Sequence, residues 1–220
     1  MTTLYPVADL KAIRDHYESE LTRSEFGAQR VGWRDDSAQS SRFECIVRLL
    51  DGYQTSSVSD LGCGRGDLLE YLRGRGWFGS YVGTDISHKM IAEAASRFMH
   101  DTKAEFVVSE VPRRADFLVA SGIFNVSLDS ETQMWRAYCE ELIRRMWEFA
   151  EQGIVFNMLS TDSNPERRKS SLSYFNPSEL LEFVRRELST TVRLDQSYGQ
   201  FDFTVAAFRF ACPTPKIKTA

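Results

Sequence analysis

The sequence predicts an α/β protein: a seven-stranded, mainly parallel sheet with helices on both faces, an antiparallel C-terminal hairpin and an N-terminal helical lid. Three observations carry this prediction. Short apolar runs alternate with helical patterns between residues 56 and 159, as βαβ units require. Two final strand-like runs flank Ser197-Tyr198-Gly199-Gln200, a hairpin connection. Glycines at 62, 64 and 66 fall where the first apolar run meets a helix, so backbone can pass close to a ligand and leave helix amides facing it. Such a turn belongs at the carboxyl end of a strand, where open α/β sheets bind their ligands.

Each element has its local reason. Asp9 is placed to cap a helix to about residue 22, with Leu10, Ile13, Tyr17 and Leu21 at helical spacing. A polar loop over 27–37 holds Trp33, and a second helix runs from 37 to 50 with Phe43, Ile46, Val47 and Leu50 on one face. Strands follow at 56–61, 80–85, 104–109, 116–121 and 153–159. Between them come helices at 67–75, 87–99 (capped by Ser87) and 130–150, the last with Met134, Tyr138, Leu142, Met146 and Phe149 as its stripe. Pro177 suits the first turn of a helix reaching 187. The closing strands cover 189–195 and 201–210. Residues 1–52 are expected to form the lid, 53–212 the ligand-binding domain and 213–220 a frayed tail.

Bulk properties narrow the function. The 220 residues carry a net charge of −4, which argues against broad electrostatic contact with nucleic acid. The one conspicuous basic cluster, Asn164 to Lys169, reads as a solvated loop. There is neither a signal-peptide pattern nor an apolar run long enough to span a bilayer, so a cytoplasmic protein without a membrane partner is expected. Cysteines 45, 63, 139 and 212 show no disulfide or zinc spacing, and three scattered histidines support no metal site. Cys45 and Cys139 are read as core thiols. The expected state is a monomer or homodimer.

The turn reads G-x-G-x-G, unlike the dinucleotide fingerprint or a P-loop. Asp60 precedes it, and Ser80-Tyr81-Val82-Gly83-Thr84-Asp85 ends in an acid nineteen residues after Gly66, suited to a pair of ribose hydroxyls. Asp60-x-Gly62-x-Gly64-x-Gly66 with a strand-ending Asp85 resembles the class I S-adenosylmethionine-dependent methyltransferases, over roughly residues 53–212. The order Gly32-Trp33, Gln39, Arg42-Phe43 is similar to a group of bacterial small-molecule methyltransferases.

The resemblance implies S-adenosyl-L-methionine as cofactor. Gly62, Cys63, Gly64 and Gly66 would carry its amino acid part, with Asp60 facing its ammonium or an amide of the turn. Asp85 would take the ribose and Ile86 would wall the adenine. Met90 would lie on the base or fill the core, and Glu110 would meet the exocyclic amine or face water. Ser121 and Gly122 would touch the sulfonium region through the backbone, with Phe124 and Asn125 pointing toward the acceptor. Arg42 would pair with the cofactor carboxylate or remain a surface charge, and Trp33 would stack on a ligand or anchor the lid. The Asn-Pro-Pro-aromatic motif of nucleic-acid amino methylators is absent.

Methyl transfer from a sulfonium needs alignment and dryness more than a base, so an acceptor motif is not expected to be legible. The candidates on that side are Tyr174, His16 and Asn157, together with Tyr17, Tyr198 and Gln200. Asn157 sits inside an apolar strand, where its amide needs either a protein partner or a ligand. The leading reading is methylation of an oxygen or nitrogen of a small metabolite. Two alternatives remain: cyclisation of the cofactor's own amino acid part with release of methylthioadenosine, favoured by lid aromatics (Tyr5, Tyr17, Phe26, Trp33), and a non-catalytic cofactor sensor.

Overall fold

The computed structural model describes residues 9–23, 36–128, 130–198 and 201–210. Two helices, α1 (Leu10–Arg23) and α2 (Asp36–Leu49), precede β1 (Val58–Leu61), α3 (Asp67–Gly74), β2 (Tyr81–Asp85), α4 (His88–Arg97) and β3 (Ala104–Val108). Then come β4 (Ala115–Ala120), α5 (Thr132–Phe149), β5 (Ala150–Leu159), α6 (Pro177–Glu187), β6 (Val192–Asp195) and β7 (Asp202–Phe208). The sheet has seven strands in the order β3-β2-β1-β4-β5-β7-β6. Strands β1 to β5 pair in parallel, while β7 runs antiparallel to both β5 and β6.

Strand order reverses at β1. The chain walks outward through β2 and β3 on one side, then returns to place β4 on the other. The loops at the carboxyl ends of β1 and β4 therefore diverge and leave a crevice.

Strand alternation sorts the core. Leu118, Ala120, Ile154 and Phe156 face a layer containing Trp135, Cys139, Leu142, Ile143 and Met146 of α5 and Leu180, Phe183 and Val184 of α6. Phe117, Val119 and Val155 face the layer of α2 and α3, including Phe43, Ile46, Leu49, Leu68, Leu69 and Leu72. Each large aliphatic buried this way stabilises the fold by about 1.5–3 kcal/mol. Cys45 and Cys139 are both fully buried.

Helix starts follow the expected chemistry. The Asp9 carboxylate accepts from Ala12 N at 2.9 Å, Ser87 Oγ accepts from Met90 N at 3.2 Å, and Asn176 Oδ1 accepts from Ser178 N at 2.9 Å, with Pro177 in the first turn. Two details depart from expectation. The buried stripe of α5 begins at Trp135, whose Nε1 donates to Phe124 O at 3.1 Å, and leaves Met134 exposed. Strand β5 begins at Ala150, directly after α5, because Glu151 and Gln152 extend it before its apolar run starts. Among the described residues no helix is long and apolar enough to cross a membrane.

Candidate active site

A cavity of about 590 Å³ opens along the carboxyl edge of the sheet. One half is built by strand tips. As β1 ends, Gly62 N and Cys63 N both donate to Thr84 O, at 2.7 and 3.0 Å, which clips the glycine turn onto β2. Gly62, Gly64 and Gly66 all have positive φ. At Gly62 a Cβ would lie 2.1 Å from Ile123 Cγ2, so the turn and the loop after β4 fit together only without a side chain there.

Asp85 stands at the β2 tip, half-buried, with Oδ2 accepting from Gly64 N at 3.0 Å and Oδ1 from Ser87 N at 2.8 Å. Burial raises its pKa against the pull of these amides. A carboxylate has lone pairs enough for two further donors from the cavity side. Asp60 is buried beneath the turn, its Oδ2 accepting from Tyr81 Oη at 2.5 Å. Burial pushes it up to about 7; the Tyr81 hydrogen bond opposes that shift, and the charges of Asp85 and Asp67 add to it. Cys63 fills the space beside Gly83, where an added Cβ would meet its Sγ at 2.7 Å. Burial likewise raises the Cys63 thiol well above its ordinary value.

Ile86, Met90, Ser109, Glu110, Ser121 and Gly122 complete this half. Met90 is both wall and core, being almost fully buried. With Asp60, Asp67, Asp85 and Glu110 on the wall, this half suits a cationic ligand that also presents hydroxyl and amine donors. Helix α1 closes over it: Glu18 accepts from Ser87 Oγ at 2.8 Å and pairs with Lys89 Nζ at 3.0 Å.

The other half is walled by Leu10, Ile13, Tyr17 and Glu20 of α1, by Trp135, Tyr138 and Leu142 of α5, and by Ile123, Asn125, Val126, Leu159, Lys169 and Leu172 from the β4 and β5 exits. Those exits are stitched together: Leu172 bridges Val126, and Ser173 N donates to Asn125 O at 2.9 Å. Tyr17 has its pKa raised, first by burial and then by the charge of Asp85.

Several predicted residues stand elsewhere. Gly66 does not line the cavity; it is the N-terminal cap of α3, and a Cβ there would meet Phe98 at 2.8 Å and Phe106 at 3.1 Å. Asn157 is fully buried and serves as a strut, with Oδ1 accepting from Gly122 N at 2.8 Å and Nδ2 donating to Ser121 Oγ at 3.1 Å. It therefore shapes the β4 exit from behind and is not on the cavity wall. Tyr174 is turned away from the cavity: its hydroxyl accepts from Lys169 N at 3.0 Å, and Arg168 lies over its ring. His16 sits edge-on to Tyr17 and off the wall. Phe124 is wholly in the core.

Arg42 is buried, not a surface charge. It lines the cavity while its Nε pairs with Asp202 and its Nη1 donates to Ala38 O at 2.5 Å. Trp33, Tyr5, Phe26 and Gln200 lie outside the described residues. Sequence reasoning missed Asp67, Trp135 and Lys169 as wall residues and read Tyr138 only as core. Only the helical phase of α5 offered a signal for the two aromatics. Among the described residues no cluster of potential metal ligands occurs.

Comparison with known proteins bears on this geometry. Residues 58–153 match the family model described as "Methyltransferase domain". A Mycobacterium tuberculosis protein named "Putative methyltransferase Rv1506c" is 36% identical over 160 residues, 72% of this chain and 96% of that protein. The malonyl-[acyl-carrier protein] O-methyltransferase of Salmonella typhimurium is 24% identical over 153 residues, 69% of this chain and 58% of that protein. Among solved structures, magnesium protoporphyrin IX methyltransferase from Synechocystis PCC 6803 with bound SAH superposes with a TM-score of 0.64 at 14% identity. That alignment covers 92% of this chain and 100% of the other.

Proposed function

The chain belongs to the S-adenosylmethionine-dependent methyltransferase family, and on that premise we propose that it methylates an oxygen or nitrogen of a small metabolite. The observation that carries this reading is the division of one cavity into an acidic half made by strand tips and a largely apolar half closed by α1 and α5. The acidic half fits the cofactor. Asp85 would hold the ribose hydroxyls, ionised Asp60 would face the ammonium, and the Gly62–Gly64 backbone would pass along the amino acid part. Bound there, S-adenosylmethionine would supply an electrophilic methyl to the acceptor's lone pair, with the C–S electron pair remaining on sulfur.

The chain's own contribution is alignment and exclusion of water. Gly122, held by the Asn157 strut, fixes the wall between the two halves. Tyr17, Tyr138, Trp135 and the aliphatic residues around them would shape the acceptor. Tyr17 does not suit the role of general base, because burial favours its neutral form. The cyclisation alternative draws no support from relatives that carry methyltransferase names.

Calorimetry with S-adenosylhomocysteine, followed by incubation with S-adenosylmethionine and an acceptor panel, tests this reading. The expected result is tight binding and S-adenosylhomocysteine formed only when an acceptor is present. Methylthioadenosine formed from cofactor alone would overturn it in favour of cyclisation.

A further inference from the structure

Within the methyltransferase reading, on which this step rests, we propose that the acceptor is an apolar small molecule bearing an oxyanion, held between the side-chain amide of Asn125 and the ammonium of Lys169. Asn125 is 6% exposed and lines the acceptor half. Its Oδ1 accepts from Leu159 N at 3.1 Å, which fixes the orientation of the amide, since the reverse would set NH₂ against N–H. Its Nδ2 donates to no described residue. The Nδ2 group is open to the cavity, so its two donors are available to a ligand oxygen there.

Lys169 supplies the second observation. Its neighbours in the basic cluster are committed elsewhere. Arg167 lies over Phe201, and Arg168 donates to the carbonyls of Thr161 and Ser163 and covers Tyr174. Lys169 alone of the three lines the cavity, and its ammonium pairs with no described residue. The backbone sets it beside Asn125: Ser171 O accepts from Ser127 N at 3.2 Å and from Leu128 N at 3.1 Å, and Ser173 N donates to Asn125 O. Glu20, the acid in this half, has a partner of its own, and so does Arg42, the other cation on the wall. The rest of that wall is mostly apolar, with Leu10, Ile13, Ile123, Trp135, Leu142 and Leu172 beside Val126 and Leu159, and two tyrosines, Tyr17 and Tyr138, add hydroxyls. Two donors on one cavity wall, one charged, among mostly apolar neighbours suit an anion with an apolar body.

The test uses the full chain saturated with S-adenosylhomocysteine, whose own binding is measured first. Benzoate, cinnamate, cyclohexanecarboxylate and phenyl phosphate are titrated beside the neutral amides of the three carboxylic acids. The acids are expected to bind about tenfold tighter than the amides, with a preference that shrinks as salt rises. The comparison of benzoate with phenyl phosphate separates carboxylate from phosphate recognition. Lys169→Gln should cut the acid preference about threefold or more, a modest loss because Lys169 is exposed, and leave S-adenosylhomocysteine affinity unchanged. Asn125→Asp keeps the Leu159 contact and places an anion where Nδ2 stood, and should abolish the preference. Amides that bind as well as acids, a preference that survives both substitutions, or no acid bound while S-adenosylhomocysteine binds would each overturn the proposal. Failure of S-adenosylhomocysteine itself to bind would remove the methyltransferase reading and the proposal with it.

Discussion

The two halves of the cavity are built by opposite means. The acidic half comes from short stretches at strand tips, residues 60–64, 85–86, 109–110 and 121–122, with Asp67 and Met90 close after them in the chain. The apolar half collects three or four side chains from each of several distant segments, on α1, α5 and the two exits after β4 and β5. A site built from consecutive residues at strand tips is placed by the topology of the sheet. A site made of scattered side chains can change its guest with single substitutions while the sheet stays as it is. Conserving a reaction and varying its acceptor would place the two tasks in this way.

The sharpest way to break the comparison is at Asp85. Replacing it with alanine strands the Gly64 and Ser87 amides along with any ribose hydroxyls, so S-adenosylhomocysteine affinity should fall by at least about tenfold. Unchanged affinity by calorimetry would detach Asp85 from the ligand and dissolve the division into halves.

A smaller, pH-dependent effect belongs to Asp60. Its folded-state pKa of about 7 lies above the ordinary carboxylate value, so the folded chain retains a proton that the unfolded chain gives up. Stability of the unliganded protein should therefore fall as pH rises from about 4 to 7 and level off above. A ligand ammonium favours the ionised form, so S-adenosylhomocysteine affinity should climb over the upper part of the same window, by at most about tenfold per pH unit. Urea midpoints and calorimetry at pH 5 and pH 8 measure both trends, and Asp60→Asn should flatten both. A wild-type slope that persists in that variant would assign the titration to another group.

The smallest effect is expected at Tyr174. Its hydroxyl accepts a backbone amide outside the cavity, so Tyr174→Phe should leave turnover within about threefold of wild type. A hundredfold loss of kcat at unchanged Tm would show that the loop turns inward during reaction.

Much of the fold and most of the acidic half were legible in the sequence for one reason: local patterns encode them. The glycine turn, Asp60 and Asp85 declare themselves within one βαβ unit, and helix starts are announced by the caps Asp9 and Ser87 and by Pro177. The failures came where the deciding partner is far away in sequence. Gly66 shares the motif of Gly62, yet its Cβ direction meets Phe98 and Phe106 rather than the crevice. Asn157 was recognised as a buried amide in need of a partner, but Gly122 and Ser121, its partners, lie 35 and 36 residues earlier. Trp135 and Met134 differ by one helical position, a rotation that apolar periodicity alone does not resolve on a helix with a broad apolar face.

Chain direction in the last strand has an effect that reaches the crevice. Strand β7 runs against β5, so Asp202, its first residue, stands opposite Leu159, the final residue of β5. A parallel strand would deliver that carboxylate to the far rim of the sheet. The reversal carries it to the rim where the glycine turn lies and where Arg42 meets it. Part of the charge around the crevice is thus written in the last few residues of the fold, and a substitution at position 202 would be felt in a region whose recognisable motif ended at residue 66.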